Sequence, residues 1–164
     1  VSTLGSIDGD RVRFERMLEA PPESVWDFLT NSELLSEWLG AGEIEPKVGG
    51  KVFLRPGGPV IRGVVKECEA PTLLSYTWNV YMIGSDDLIT PESLLRFELV
   101  GKDGGTALTL TQGPIIPPML STTAAGWHTI LDILAAHLAE ETPPDFMDVF
   151  QSVVAEYEKA ASTA

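Results

Sequence analysis

The residues best suited to acid–base, metal or nucleophilic chemistry in these 164 residues are His128, His137 and the single cysteine, Cys68. The histidines stand nine positions apart in a stretch of helical period, about 13 Å at 1.5 Å per residue. They cannot share one metal ion while both remain on that helix. No CxxC or HExxH spacing is present, and no GxSxG nucleophile motif, so neither a metal nor another cofactor is expected. His128 borders an apolar stripe. It reads as a boundary histidine with a satisfied hydrogen bond, as a polar anchor for a ligand, or as a general base, work that its unperturbed pKa suits. His137 lies toward a helix C-terminus, where a cation is favoured, and is given no function. Cys68 sits in an alternating apolar run and reads as a buried small hydrophobe, the other reading being a reactive thiol.

The aromatic residues offer walls more than reagents. Trp26, Trp38, Trp78 and Trp127 read mostly as core, with Trp78 and Trp127 able to serve as core and pocket wall together. Strand alternation points Phe53, Phe97 and Leu110 inward, and a slip of one residue would turn each of them outward. Tyr76 and Tyr81 carry hydroxyls, and a buried tyrosine hydroxyl needs a partner, which a ligand can supply. Gly113-Pro114-Ile115-Ile116-Pro117-Pro118-Met119-Leu120 is apolar yet rich in proline. It is either a packed connector or a lid presenting Ile115, Ile116 and Met119 to a ligand. The long stretch from Asn79 to Glu92 is placed beside the same entrance, since long loops tend to carry function. Gly126 interrupts a helical pattern at a cost of ~1 kcal/mol against alanine, which suggests a close approach by the sheet or the lid.

These residues need elements to hold them. Val12, Phe14 and Leu18 alternate with charged residues as a half-buried strand. Ala20-Pro21-Pro22-Glu23 stops that strand and starts a helix with Val25, Trp26 and Leu29 on one face. Asn31 or Ser32 caps a second short helix carrying Leu35, Trp38 and Leu39. Further strands follow over Lys51–Arg55, Val60–Cys68, the Leu74/Tyr76/Trp78 run, the Leu95/Phe97/Leu99 run and the Leu108/Leu110/Gln112 run. Lys102-Asp103-Gly104-Gly105 makes a hairpin turn between the last two. Short turns between sequential strands favour an antiparallel meander. From about Thr122 to Ala139 the period becomes helical, with Trp127, Leu131, Leu134 and Leu138 on one face and Thr129, Asp132, Ala136 and Glu140 facing away. A last helix follows Pro143-Pro144, and it either packs on its own domain or forms a dimer contact. The expectation is an α+β fold: a curved antiparallel sheet of about six strands wrapped on a long C-terminal helix, with two short helices after the first strand. A strongly curved sheet cannot touch a straight helix along its whole length, so a cavity is expected between them.

Composition sets the bounds. One domain is expected over residues 1–164, with a core at about 10–140 and an extra helix at 143–160. Eleven Lys and Arg against 24 Asp and Glu give a net charge of −13, which repels phosphate backbones and anionic lipid. No run of 18 apolar residues is present, so membrane insertion is not expected. The first residues, Val1 to Ser6, lack the basic and apolar regions of a signal peptide. With one cysteine, a cytoplasmic location is expected.

An ordered set of motifs runs through the chain: Ala20-Pro21-Pro22-Glu23-Ser24-Val25-Trp26, Trp38, Gly49-Gly50-Lys51-Val52-Phe53, Gly63-Val64-Val65, Pro71 through Trp78, and Gly126 through Leu134. Together they resemble the family related to the ATPase activator of the 90-kDa heat-shock chaperone, within the START-like SRPBCC superfamily, over roughly Val12 to Leu138. The resemblance implies a helix-grip fold with a deep hydrophobic cavity, and single-domain members resemble binders of small apolar molecules. The expected ligand is apolar, a lipid, an aromatic or a polyketide-like compound, because few convergent charges are available to hold an ionic one. Phe53, Tyr76, Trp78, Phe97, Leu110, Ile116, Met119, Trp127, His128 and Leu131 are the candidate binding residues. The alternatives are a cyclase- or hydrolase-like enzyme using His128 with Tyr76 or a pocket carboxylate, and a protein-interaction module with a chaperone partner.

Overall fold

The computed structural model describes residues 2–163. The chain runs β1 (Ser6–Asp8), β2 (Arg11–Leu18), α1 (Pro22–Thr30), α2 (Ser32–Trp38), β3 (Ala41–Ile44), β4 (Lys51–Arg55), β5 (Val60–Glu69), β6 (Leu73–Tyr81), β7 (Ser93–Lys102), β8 (Gly105–Gly113), α3 (Leu120–Leu138) and α4 (Phe146–Ser162). The strands form one eight-stranded sheet in the order β1-β2-β8-β7-β6-β5-β4-β3, and every neighbouring pair is antiparallel. The α+β helix-grip expectation is met, with eight strands rather than six. The two strands missing from the sequence reading, β1 and β3, have three and four residues, too few to display a period-2 signature.

Chain order explains the grip. Strand β3 must pair at the far edge of the sheet from β2, and α1 and α2 make that crossing. Pro22 opens α1, where its missing N–H costs nothing. The Asn31 side chain caps α2 by accepting from the Glu33 N–H at 2.9 Å. The meander β4 to β8 then brings β8 back beside β2, with Phe14 opposite Leu110. A register shift between Val65 and Glu67 interrupts the β5–β6 ladder, and such irregularities bend a strand and sharpen its twist.

The long helix α3 is buried on two sides. Trp127, Leu131 and Leu134 belong to the core, and Thr129 and Ala136, expected to face away, are buried as well. Helix α4 packs along α3 and reaches β1, while Ala136 lies beside β2 and the N-terminal segment. Val153 and Tyr157 of α4 are almost fully enclosed, each burial worth roughly 1.5–3 kcal/mol for a large apolar side chain. The last helix therefore finds its partner within its own chain. Among the described residues no helix is long and apolar enough to cross a membrane.

The strand β4 corrects one inward assignment. Val52 is 3% exposed and Leu54 0%, whereas Phe53 between them is 42% exposed. Lys51-Val52-Phe53-Leu54-Arg55 contains three successive apolar residues, so alternation permits two phases. Burying two side chains outweighs burying one. Phe53 thus lies on the outer face, where its ring sits 5.8 Å from the Arg55 guanidinium.

Candidate functional site

A cavity of about 220 Å³ opens where the ends of β6, β7 and β8 meet the first half of α3. Each wall follows from a local feature of the sequence. Strand β6 carries Trp78 and Val80 to its end, and the loop after it returns Thr90 and Pro91 to the rim. The proline-rich connector leads through a short 3₁₀ turn, Pro117–Met119, into α3. It lays Ile115, Ile116 and Met119 over the cavity. Helix α3 supplies Thr123, Gly126, Trp127 and Ile130, which recur at helical spacing.

Trp78 and Trp127 meet in this wall with ring centroids 5.3 Å apart and planes tilted by 58°. Gly126 borders the same space, and a Cβ added there meets nothing within 4 Å. The glycine is therefore not forced by a close approach of sheet or lid, as its place in the helix had suggested. Its bare backbone leaves the cavity open instead.

The polar part of the wall is a short ordered network. The Trp127 indole N–H donates to Gln112 Oε1 at 2.6 Å, and Gln112 Nε2 donates to Ser93 Oγ at 3.0 Å. The Ser93 hydroxyl donates to the Trp78 carbonyl oxygen at 3.3 Å. Ser93 and Gln112 are both buried. Neither was among the sequence candidates, although each stands at an inward position: Ser93 two residues before Leu95, and Gln112 two after Leu110. A polar side chain in the inward phase of an apolar strand was the available signal.

The other candidates separate into three groups. Trp78, Ile116, Met119 and Trp127 line the cavity. Tyr76, Phe97, Leu110 and Leu131 are fully or almost fully buried but do not border it. Phe97 sits in an aromatic layer, 6.3 Å from both Trp38 and Trp127 and 6.4 Å from Tyr76. The Tyr76 hydroxyl is buried and makes no hydrogen bond with the described residues, and burial pushes its pKa above the ordinary tyrosine range. Phe53 lies on the outer face.

His128 falls outside the cavity altogether. Helical geometry turns successive side chains by about 100°, so His128 points toward β1, β2 and α4 while Trp127 faces the cavity. Its Nδ1 lies 2.8 Å from the Tyr157 hydroxyl, its Nε2 2.9 Å from Ser2 Oγ, and its ring meets Phe14 edge-on. Burial, then the nearby Arg16 cation, lowers its pKa, against the opposing pull of Asp132. Asp132, expected to face away, accepts from Arg16 Nη1 and from Ser2 Oγ, both at 2.6 Å. Both ring nitrogens of His128 are engaged in this packing, and Tyr76 is enclosed in a different aromatic layer. The geometry does not assemble His128 and Tyr76 into one reactive centre.

The comparisons with known proteins agree with this architecture. CalU16 from Micromonospora echinospora superposes with a TM-score of 0.74 at 23% identity, over 93% of this chain and 88% of that one. The protein MLL2253 from Mesorhizobium loti gives a TM-score of 0.69 at 29% identity, over 80% of this chain and 98% of that one. DynU16, a protein of the dynemicin biosynthetic locus, gives 0.71 at 23% identity over 83% of this chain, which spans 49% of DynU16. No curated protein matches the chain at a significant level. The family described as activator of Hsp90 ATPase homolog 1-like protein matches residues 19–139, from the end of β2 to the end of α3. The chain therefore belongs to the activator of Hsp90 ATPase homolog 1-like family.

Proposed function

We propose that this protein binds a small, neutral, apolar molecule in the cavity beside Trp78 and Trp127. The carrying observation is the composition of the wall: two adjoining, tilted indoles, a proline-rich lid and, among the described residues, no charged side chain. An ionic ligand would lose its hydration there without gaining a counter-charge. Two indoles at 5.3 Å favour an aromatic occupant over a flexible chain, because rings gain from offset and edge-on contacts beyond their buried area. A cavity of about 220 Å³ is at the small end for ligand pockets and suits a compact occupant of about two or three fused rings. The place of DynU16 in the dynemicin biosynthetic locus is in keeping with a small metabolite as the kind of occupant. Trp78, Ile116, Met119 and Trp127 are the contacting residues in this reading. Tyr76, Phe97, Leu110 and Leu131 form the packed layer behind them.

A thermal-shift titration with two- and three-ring aromatics tests the proposal. A ligand at 100 times its dissociation constant adds ~2.7 kcal/mol, which for a chain of this size raises Tm by about 5–10 °C. The rise should vanish in Trp78→Ala and persist in Phe53→Ser. A rise that survives Trp78→Ala unchanged would place the ligand elsewhere.

A further inference from the structure

The hydrogen-bond directions in the cavity wall specify what the occupant must offer. An indole N–H can only donate, so the atom of Gln112 facing Trp127 at 2.6 Å is the amide oxygen. That fixes the side-chain orientation and leaves Nε2 toward Ser93. The serine spends its proton on the Trp78 carbonyl oxygen, so its own oxygen accepts from Gln112. Every group in the network then has a partner except one, the second N–H of the Gln112 amide. It has no acceptor among the described residues, and Gln112 borders the cavity. The asymmetry between donors and acceptors matters here. Gln112 Oε1 and Ser93 Oγ each already accept one bond, and an under-used oxygen is tolerated, whereas a buried N–H without a partner is rare.

We infer that the free N–H of Gln112 anchors a carbonyl oxygen of the ligand, so that the occupant belongs to the neutral aryl ketones and quinone-like compounds rather than to plain aromatic hydrocarbons. The inference rests on the cavity being the binding site. Trp78 and Trp127 hold the ring system, the lid excludes water from the anchor, and exclusion of water strengthens a single hydrogen bond. Gln112 is a specificity-determining residue in this scheme: its loss removes the preference for the carbonyl over the methylene.

Fluorenone and fluorene share one tricyclic frame and differ at one carbon, a carbonyl in the first and a methylene in the second. Calorimetric titration of the full chain with each should show fluorenone binding about tenfold more tightly, the scale of one well-made hydrogen bond. In Gln112→Met, which also takes the acceptor from the Trp127 N–H, the ratio of the two affinities should fall to about one, whatever affinity the two compounds then share. The infrared carbonyl stretch of bound fluorenone gives a second reading on the wild-type protein alone, and it should lie below its position in a hydrocarbon solvent. Equal binding of the two compounds to the wild type, an unshifted stretch, or a preference retained in Gln112→Met overturns the anchor while leaving the cavity proposal standing. Binding of neither compound to the wild type overturns both.

Discussion

The Nδ1 atom of His128 lies 2.8 Å from the Tyr157 hydroxyl, in the buried seam between α3 and α4. The partners along this chain of contacts restrict the proton positions. The Gly5 N–H donates to Tyr157 Oη at 2.8 Å, so the phenol proton is free to go to Nδ1. Ser2 Oγ donates to Asp132 Oδ1, so its oxygen accepts from His128 Nε2. His128 Nε2 therefore carries a proton, and in the neutral ring, which burial favours, Nδ1 accepts from the phenol. One imidazole ties together the N-terminal segment, α3 and α4. The histidine singled out by the sequence as a candidate anchor serves as a joint of the fold.

Tyr157→Phe should destabilise the protein by about 1–3 kcal/mol, because it strands the Gly5 N–H and His128 Nδ1 in a buried place. Urea unfolding should show a lower midpoint with an unchanged slope. Affinity for a cavity ligand should be unaltered, since Tyr157 does not border that space.

Stability should fall as acid protonates His128. The folded state lowers the pKa of this group, so the unfolded chain binds more protons below its own value of about 6.5. The contribution is complete above about 6.5 and is lost progressively as pH falls from there through the lowered folded value. Among the described side chains, Arg16 on β2, Asp132 on α3 and Tyr157 on α4 are the ionisable groups facing the ring, and the arginine adds to the penalty on a second cation. Denaturation midpoints measured between pH 5 and 7.5 should decline more steeply in wild type than in His128→Asn. Parallel curves would remove His128 as the cause.

Asp132→Ala should be among the most damaging single changes. The Arg16 side chain is only 7% exposed and its ion pair with Asp132 is 2.6 Å long, while its Nε and Nη2 make no hydrogen bond with the described residues. Removing the carboxylate leaves a buried guanidinium unpaired, a loss of about 3–5 kcal/mol. The double variant Arg16→Met with Asp132→Ala should recover part of that loss, which a double-mutant cycle would quantify.

Gly126→Leu should uncouple stability from binding. The site is open and helical, and an ordinary side chain gains up to ~1 kcal/mol over glycine in a helix interior. The variant should melt no lower than wild type and yet fail to bind two- or three-ring aromatics, because the leucine occupies their space. Retained binding would show that the ligand does not use this part of the cavity.

Much of the fold was legible because it rests on long periodic segments. The alternation in β2, β7 and β8 and the helical stripe of Trp127, Leu131 and Leu134 each repeat often enough to fix a period. The proline-rich lid and the long loop before Glu92 were recognisable as breaks between such segments, and both border the cavity. Strands β1 and β3 were too short to show any pattern. Phe53 was assigned inward because three successive apolar residues do not define a phase.

The sequence by itself determined the order of the longer elements, the inward phase of the longer strands, the strongly acidic charge balance and the family resemblance, all of which depend on local pattern, composition or ordered motifs. Only the tertiary structure decided which side of α3 each neighbour of Trp127 faces. An isolated helix has one buried stripe and one solvated one, but α4, β2 and the N-terminal segment close on the second side: Tyr157, Phe14 and Ser2 enclose His128, and Thr129 and Ala136 are buried too. The polar network of Gln112, Ser93 and Trp127 likewise joins the ends of β7, β8 and α3. Such a site is set by hydrogen-bond geometry between segments distant along the chain, and no local spacing encodes it.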